Sequence, residues 1–172
     1  LKNFDPAFMQ MCQNEYGMDD AALQDETEFW KKYVAQHIPS AYPGMNELMC
    51  RHKAEGGYIC VVSHSFDENI RRDYAENGLP EPDLVFGWEQ PPERRKPNPW
   101  PLEEIMRRLG LAPEELLMID DLKPGFDMAH SCGVDFAAAG WAYDVPQIED
   151  FMRRNSDFYF KTVQELADFL GE

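Results

Sequence analysis

Hydrophobic positions change rhythm along this chain. Over the first 38 residues they recur at helical spacing. In DPAFMQMCQNEY, residues 5 to 16, Phe8, Met11 and Cys12 share a face, Asp5 caps, Pro6 sits in the first turn and Gly17 closes the helix. In ETEFWKKYVAQHI, residues 26 to 38, a second helix carries Phe29, Trp30, Tyr33, Val34 and His37 on one side. PSAYPG, residues 39 to 44, breaks the pattern and reads as a hinge.

Beyond the hinge, short apolar runs alternate with amphipathic segments. MNELMCRHKAE (45 to 55) predicts a helix stopped by Gly56-Gly57, and YICVVS (58 to 63) a strand. Ser65 and Glu68 have the spacing of a capping box for the next helix, which Gly78 ends. A strand at 84 to 88, a helix at 102 to 110, a strand at 116 to 120 and a helix at about 125 to 132 follow. The chain finishes with a strand at 135 to 140, a helix at 147 to 155, a strand at 158 to 160 and a helix at 162 to 171 that opens on a Thr162/Glu165 box. Strands apolar on both faces, alternating with helices, predict the α/β class: a parallel sheet with helices on both faces. In such sheets chemistry gathers at the carboxyl ends of the strands.

Three polar features stand at such ends. LLMI runs into the adjacent carboxylates Asp120 and Asp121, whose repulsion calls for a counter-charge. Mg2+ takes oxygen ligands and often only one or two carboxylates. Alone, the stretch fits a solvated cap as well as a metal site. YICVV ends in Ser63-His64-Ser65, where Ser65 reads as a cap and Ser63 precedes it. In RRKPNPWPLEEI, Lys96 lies in a loop stiffened by Pro97, Pro99 and Pro101, although a basic run is usually a solvated face. His64 alone does not read as catalytic, and His130 reads as structural. Together, a hydroxyl, an ammonium and a carboxylate pair suit phosphoryl transfer: the first two bind phosphoryl oxygens and the carboxylates hold Mg2+.

Composition sharpens this picture. The 172 residues suffice for one domain, or one with a small appendage, and 44% hydrophobic residues can support a core. No apolar run approaches the ~18 residues of a membrane span. A net charge of −16 argues against nucleic acid and anionic membranes as partners. An anionic substrate must then be met by placed lysines or a metal. Cys12, Cys50, Cys60 and Cys132 form no CxxC pair or zinc spacing; three lie in apolar patterns, so free buried thiols and a cytoplasmic location are expected. The chain opens on Leu1 rather than methionine, and no signal peptide is legible.

From about residue 40 onward the chain resembles the haloacid dehalogenase superfamily of phosphatases. AYPGMNELMCRHKAEGGYICVVSHS is similar to the approach to the family's second motif, with Ser63 in its phosphate-binding place. KPNPWPLEEIMRRLGL is similar to the third, with Lys96 as the lysine that holds the phosphorylated intermediate. LLMIDDLKPGFDMAHSCGV is similar to the fourth, with Asp121 and Asp120 as Mg2+ ligands. The phosphoglycolate phosphatase and β-phosphoglucomutase branch is the nearest, and residues 1 to 40 resemble the later part of its helical cap. The resemblance implies a Rossmann-like core over 41 to 172 and a Mg2+-dependent hydrolase. Its substrate would be a small phosphorylated metabolite, cleaved through an aspartyl-phosphate. Ser63 and Lys96 would be catalytic, and Ser63, His64 and Lys96 would bind substrate.

Two departures stand out. Gly125 occupies a place where many members carry a second acidic residue. The first motif, DxDxT, which supplies the nucleophile and the general acid, occurs nowhere in the chain. In the family its strand lies between those ending in Ser63 and Asp121. Self-association, or a second chain supplying that strand, is therefore expected. The alternative is a non-catalytic module that binds a phosphorylated ligand or a partner protein. A receiver domain fits poorly, because its acidic pair comes first in the chain.

Overall fold

The computed structural model describes residues 8 to 171, in two compact units that meet in sequence at Pro39 and Ser40. The first contains α1 (Phe8–Tyr16) and α2 (Asp20–Gln36). The expected Asp5 cap and Pro6 lie outside the described residues, as does the side chain of Phe8. Met11, Cys12 and Leu23 are buried together, with Met18 against them. Helix α2 begins earlier than expected because Asp19 caps it, accepting the Ala22 N–H at 2.9 Å. The shared aromatic side is open: Phe29, Trp30 and Tyr33 are 59%, 51% and 44% exposed. These rings stack on one another, and Tyr33 stacks on His37 at 4.0 Å. Helical spacing identifies a common face, not what covers it.

The second unit alternates strands and helices. Helix α3 (Met45–Ala54) leads to β1 (Cys60–Val62), α4 (Asp67–Glu76) to β2 (Leu84–Phe86), and α5 (Trp100–Leu109) to β3 (Leu117–Asp120). Then come α6 (Lys123–Cys132), β4 (Asp135–Ala139), α7 (Pro146–Asn155), β5 (Phe158–Phe160) and α8 (Val163–Leu170). All pairings are parallel. Strand β1 pairs with β2, Val61 opposite Val85. Strands β3, β4 and β5 form a second sheet in that order, with Asp120 opposite Ala138. Leu48, Ala137, Phe160, Val163 and Leu166 form one core cluster joining α3, β4, β5 and α8. Phe126 of α6 meets Phe136 and Phe151 edge-on at 5.6 and 5.9 Å.

Strands β1 and β3 read from sequence as fully covered, and here they are not. Each has one strand neighbour among the described residues. The residues of β1 are half-buried, and Ile119 in β3 is 39% exposed. An interior parallel strand needs neighbours on both sides; with one, its other row of backbone groups and apolar side chains stays open.

Local expectations are corrected too. The Ser65/Glu68 box is not formed: Phe66 is the residue before α4, and the Glu89 carboxylate accepts the Asp67 N–H at 3.0 and 3.1 Å. The second box is half right. Thr162 accepts the Glu165 N–H at 3.1 Å, but the Glu165 carboxylate turns to the N–H of Lys161. All four cysteines are free, yet only Cys12 is buried.

Candidate active site

Strand β1 delivers Ser63, whose N–H still pairs with the Phe86 carbonyl of β2 at 3.0 Å. Its hydroxyl accepts the Ser65 N–H at 3.0 Å, which fixes the oxygen where the chain leaves the sheet. His64 donates from Nε2 to the Lys96 carbonyl at 3.2 Å and meets the Trp88 ring edge-on. The atoms crowding its ring, and then the Lys96 charge, pull its pKa below the ordinary value. Neutral His64 thus ties the end of β1 to the lysine loop.

That loop sorts three adjacent cations by their partners. Arg94 lies over Trp100 at 4.7 Å. Arg95 lies over Trp88 at 3.9 Å and donates to the Gln90 carbonyl. Asn98 braces the turn by donating to the carbonyls of Pro92 and Arg95. Lys96 alone points inward, its Nζ 2.5 Å from Asp120 Oδ2, with side chains 11% and 6% exposed. The basic run is therefore two stacked guanidiniums and one buried ammonium, not a solvated face.

Asp120, the last residue of β3, is fully engaged. Its Oδ1 accepts the N–H groups of Asp121 and Leu122 at 2.7 and 2.9 Å, and its Oδ2 accepts Lys96. Burial opposes its ionisation, but the Lys96 charge and these hydrogen bonds outweigh it and hold the carboxyl below its usual pKa. The Asp120 side chain lies against buried Gly125, where a Cβ would come within 2.3 Å of Oδ2. Any side chain at 125, acidic ones included, would compete for that space, which accounts for the glycine there.

Asp121 lives under the opposite balance. Burial first, then the charge of Asp120 and their shared hydrogen bond, raise its pKa from 3.8 to about 6. It is a carboxylate short of positive charge. No group of three or more His, Cys, Asp or Glu side chains suited to a metal occurs among the described residues. The donor set still fits a hard cation that keeps most of its ligands as water and phosphate oxygens. Asp121 would be the direct ligand, while Asp120 is committed to Lys96.

Two neighbours of the site stand outside the motifs legible in the sequence. Trp88 braces both His64 and Arg95. Tyr143, in the loop after β4, lines one recess with Asp121; burial and then the Asp121 charge raise its pKa. The available signal was topological: GWAYD follows a strand end, as the other site residues do.

A family model described as haloacid dehalogenase-like hydrolase matches residues 7–139. The chain is 25% identical over 158 residues to pyrophosphatase PpaX of Halalkalibacterium halodurans, covering 90% of this chain and 72% of that protein. It is 23% identical over 160 residues to a phosphoglycolate phosphatase of Haemophilus influenzae, covering 89% and 69%. A haloacid dehalogenase-like hydrolase from Streptococcus pneumoniae shares the fold with a TM-score of 0.77 at 14% identity, over 98% of this chain and 79% of that one. The parallel strand order, the polar groups gathered at the strand ends and the family match together make this chain a member of the haloacid dehalogenase-like hydrolase family.

Proposed function

We propose that this protein is the greater part of a Mg2+-dependent phosphatase acting on a small phosphomonoester through an aspartyl-phosphate. One observation carries the reading: the buried Lys96–Asp120 pair at the carboxyl end of β3, with the loop after β1 tied to Lys96 through His64. A solvated loop has no reason to bury an ammonium. A phosphatase has one, because a lysine held in one place meets phosphoryl oxygens without reorganising as charge develops.

In this reading Lys96 binds and orients the phosphoryl group while Asp120 fixes its ammonium. The Ser63 hydroxyl donates to a phosphoryl oxygen; its lone pair already holds the Ser65 N–H, so its proton is free to point outward. His64 keeps the lysine loop against β1 and borders the substrate. Asp121, with Asp120 beside it, would hold Mg2+, which supplies charge neutralisation at the phosphoryl oxygens. The nucleophile comes from none of these groups. The open edges of β1 and β3 support a further strand between them, carrying an aspartate into the space bordered by Ser63, Lys96 and Asp121. The two helices of the first unit would belong to a cap. The phosphatases among the relatives support a small phosphorylated metabolite as substrate.

The test is reconstitution. The 172-residue chain is assayed with p-nitrophenyl phosphate and Mg2+, alone and with a DxDxT strand supplied covalently or as a second chain. Turnover is expected only in the second case, and Lys96→Ala should reduce it by at least ~100-fold. Equal turnover by the chain alone would refute the mechanism. A reconstituted chain that folds and binds phosphate without hydrolysing any ester would favour the non-catalytic alternative.

A further inference from the structure

The turn after β2, residues 87 to 90, belongs to none of the strand-end features read from sequence, yet it is fastened to the chain that leaves β1. Trp88 donates its N–H to the Ser65 carbonyl at 2.8 Å. One residue on, the Glu89 carboxylate accepts the Asp67 N–H at 3.0 and 3.1 Å. Both contacts need a close approach: a Cβ at Gly87 would come within 2.9 Å of the Ser65 oxygen and of the Asp67 nitrogen, so the backbone can lie here only because position 87 has no side chain. Ser65 in turn donates its N–H to the Ser63 hydroxyl at 3.0 Å, and the Ser63 N–H pairs with the Phe86 carbonyl. The turn and the Ser63 hydroxyl thus share one frame of hydrogen bonds.

The Trp88 side chain leaves that frame and reaches the lysine loop. The Arg95 guanidinium lies over its ring at 3.9 Å, and the His64 ring meets it at 5.9 Å and 85°. These two residues flank Lys96. Arg95 precedes it in the chain and also donates to the Gln90 carbonyl, in the same turn. His64 donates to the carbonyl of Lys96 itself at 3.2 Å. The backbone of Lys96 is therefore held on both sides by residues that rest on one indole, while its ammonium reaches Asp120. The ion pair alone would not fix it, because a flexible four-carbon stem lets the backbone shift while the ammonium stays paired. Indole is also the aromatic group that holds a guanidinium most strongly. Trp88 is only half-buried, and its two ring partners are a guanidinium and an imidazole, so the ring is placed for these contacts rather than to fill a core.

We propose that Trp88 is a positioning residue for Lys96: its indole ties the lysine loop to the loop after β1, so that the Lys96 ammonium and the Ser63 hydroxyl keep a fixed separation. The inference rests on the reading of Lys96 and Ser63 as phosphoryl-binding groups. In that reading the separation matters because both groups must meet oxygens of one phosphoryl group, and a small misplacement of either loses the benefit of holding them ready.

The test reads Lys96 itself in the full 172-residue chain. The protein is acetylated with limiting acetic anhydride, and labelling is followed lysine by lysine by mass spectrometry. In the unaltered chain Lys96 should label slowly, because its ammonium is buried against Asp120. Trp88→Leu keeps an apolar side chain and removes the ring. It should speed the labelling of Lys96 about tenfold, the weight of a partly desolvated cation–π contact. Lys53 and Lys123, paired with Asp83 and Asp127, should label as in the unaltered chain. Trp88→Phe, which keeps an aromatic face, should restore most of the protection. Arg95→Ala leaves the ring in place and should also expose Lys96. Unchanged labelling of Lys96 in a folded Trp88→Leu chain, or in Arg95→Ala should Trp88→Leu not fold, overturns the inference. So does a rise shared equally by Lys53 and Lys123, which marks a purely structural role. Inorganic phosphate with Mg2+ tests the reading beneath it and should slow the labelling of Lys96 further in the unaltered chain. If phosphate changes nothing there while Trp88→Leu exposes Lys96, the hold of Trp88 on the lysine stands and the phosphoryl-binding reading falls.

Discussion

Replacing Asp121 with asparagine should make the metal-free protein more stable at neutral pH, a reversal of the usual outcome at a functional carboxylate. The folded-state pKa is raised from 3.8 to about 6 by burial and by the Asp120 charge. A carboxyl that binds its proton more tightly in the folded state costs stability once the pH exceeds both values. Stability is unaffected below about pH 4, declines as the pH rises through the interval to about 6, and stays reduced above it. A shift of about two units corresponds to roughly 3 kcal/mol at 1.36 kcal/mol per unit. Asp121 is only partly enclosed, so solvent screening reduces this to about 1–2 kcal/mol. Asparagine keeps the shape and removes the charge. Asp121→Asn should therefore melt about 3–6 °C higher than the unaltered chain at pH 7.5, and at the same temperature near pH 4. Saturating Mg2+ should raise the melting temperature of the unaltered chain and leave the variant where it was. The assay is a set of melts from pH 4 to 8, with and without Mg2+, read as the difference between the two proteins so that every other titrating group cancels. A variant less stable than the unaltered chain at pH 7.5 without Mg2+, or a difference that does not change with pH, would refute the account of Asp121 as an uncompensated charge.

Other perturbations test neighbouring links. Lys96→Ala strands the buried Asp120 charge and should cost about 3–5 kcal/mol of stability in denaturant titrations, whereas Arg94→Ala, which loses one exposed stacking contact, should cost about 0.5–1 kcal/mol, and Arg95→Ala, which also loses its hydrogen bond to the Gln90 carbonyl, about 1–2 kcal/mol. Equal losses from all three would reduce the loop to a basic patch. Gly125→Ala pushes a methyl group into Asp120 and should cost about 1–3 kcal/mol with weakened Mg2+ binding in calorimetry; unchanged stability and binding would show that Asp120 can move at no cost. The open edges of β1 and β3 should make the chain associate with rising concentration in sedimentation velocity, and a supplied DxDxT strand should suppress this. A chain that remains monomeric and melts cooperatively without that strand would show the edges to be satisfied in some other way.

Much of this was legible in the sequence, and what was not shares a cause. Continuous apolar runs located all five strands, and the order of their polar ends led to Ser63, Lys96 and the Asp120-Asp121 pair. Helix faces were harder. Phe29, Trp30 and Tyr33 share a helix side, as their spacing says, and that side is open, because a period reports which residues lie together and not whether anything lies against them. The Ser65/Glu68 box failed because a residue distant in sequence, Glu89, reached the start of α4 instead. Tyr143 escaped notice for the same reason: its place beside Asp121 follows Gly140, which β5 holds, a contact that local spacing does not encode. Local chemistry located the strand ends, and tertiary packing decided what they face.

The two adjacent aspartates show how far identical residues can be driven apart. Asp120 ends β3 and Asp121 is the first residue beyond it, so the two carboxylates lie side by side but meet different partners. Asp120 turns toward Lys96, into the space that Gly125 leaves open, and the buried ammonium holds it ionised. That pairing consumes the lysine as a counter-charge for the site as a whole, since Asp120 and Lys96 together are neutral. Asp121 then stands beside a permanent negative charge, and its ionisation is disfavoured. The repulsion within the pair is thus not a defect awaiting compensation elsewhere in the fold. Under the proposed function it is free energy that a divalent ion would release on binding, and it would link the ion to the lysine: the carboxylate that orders Lys96 is the one that would make Asp121 receptive.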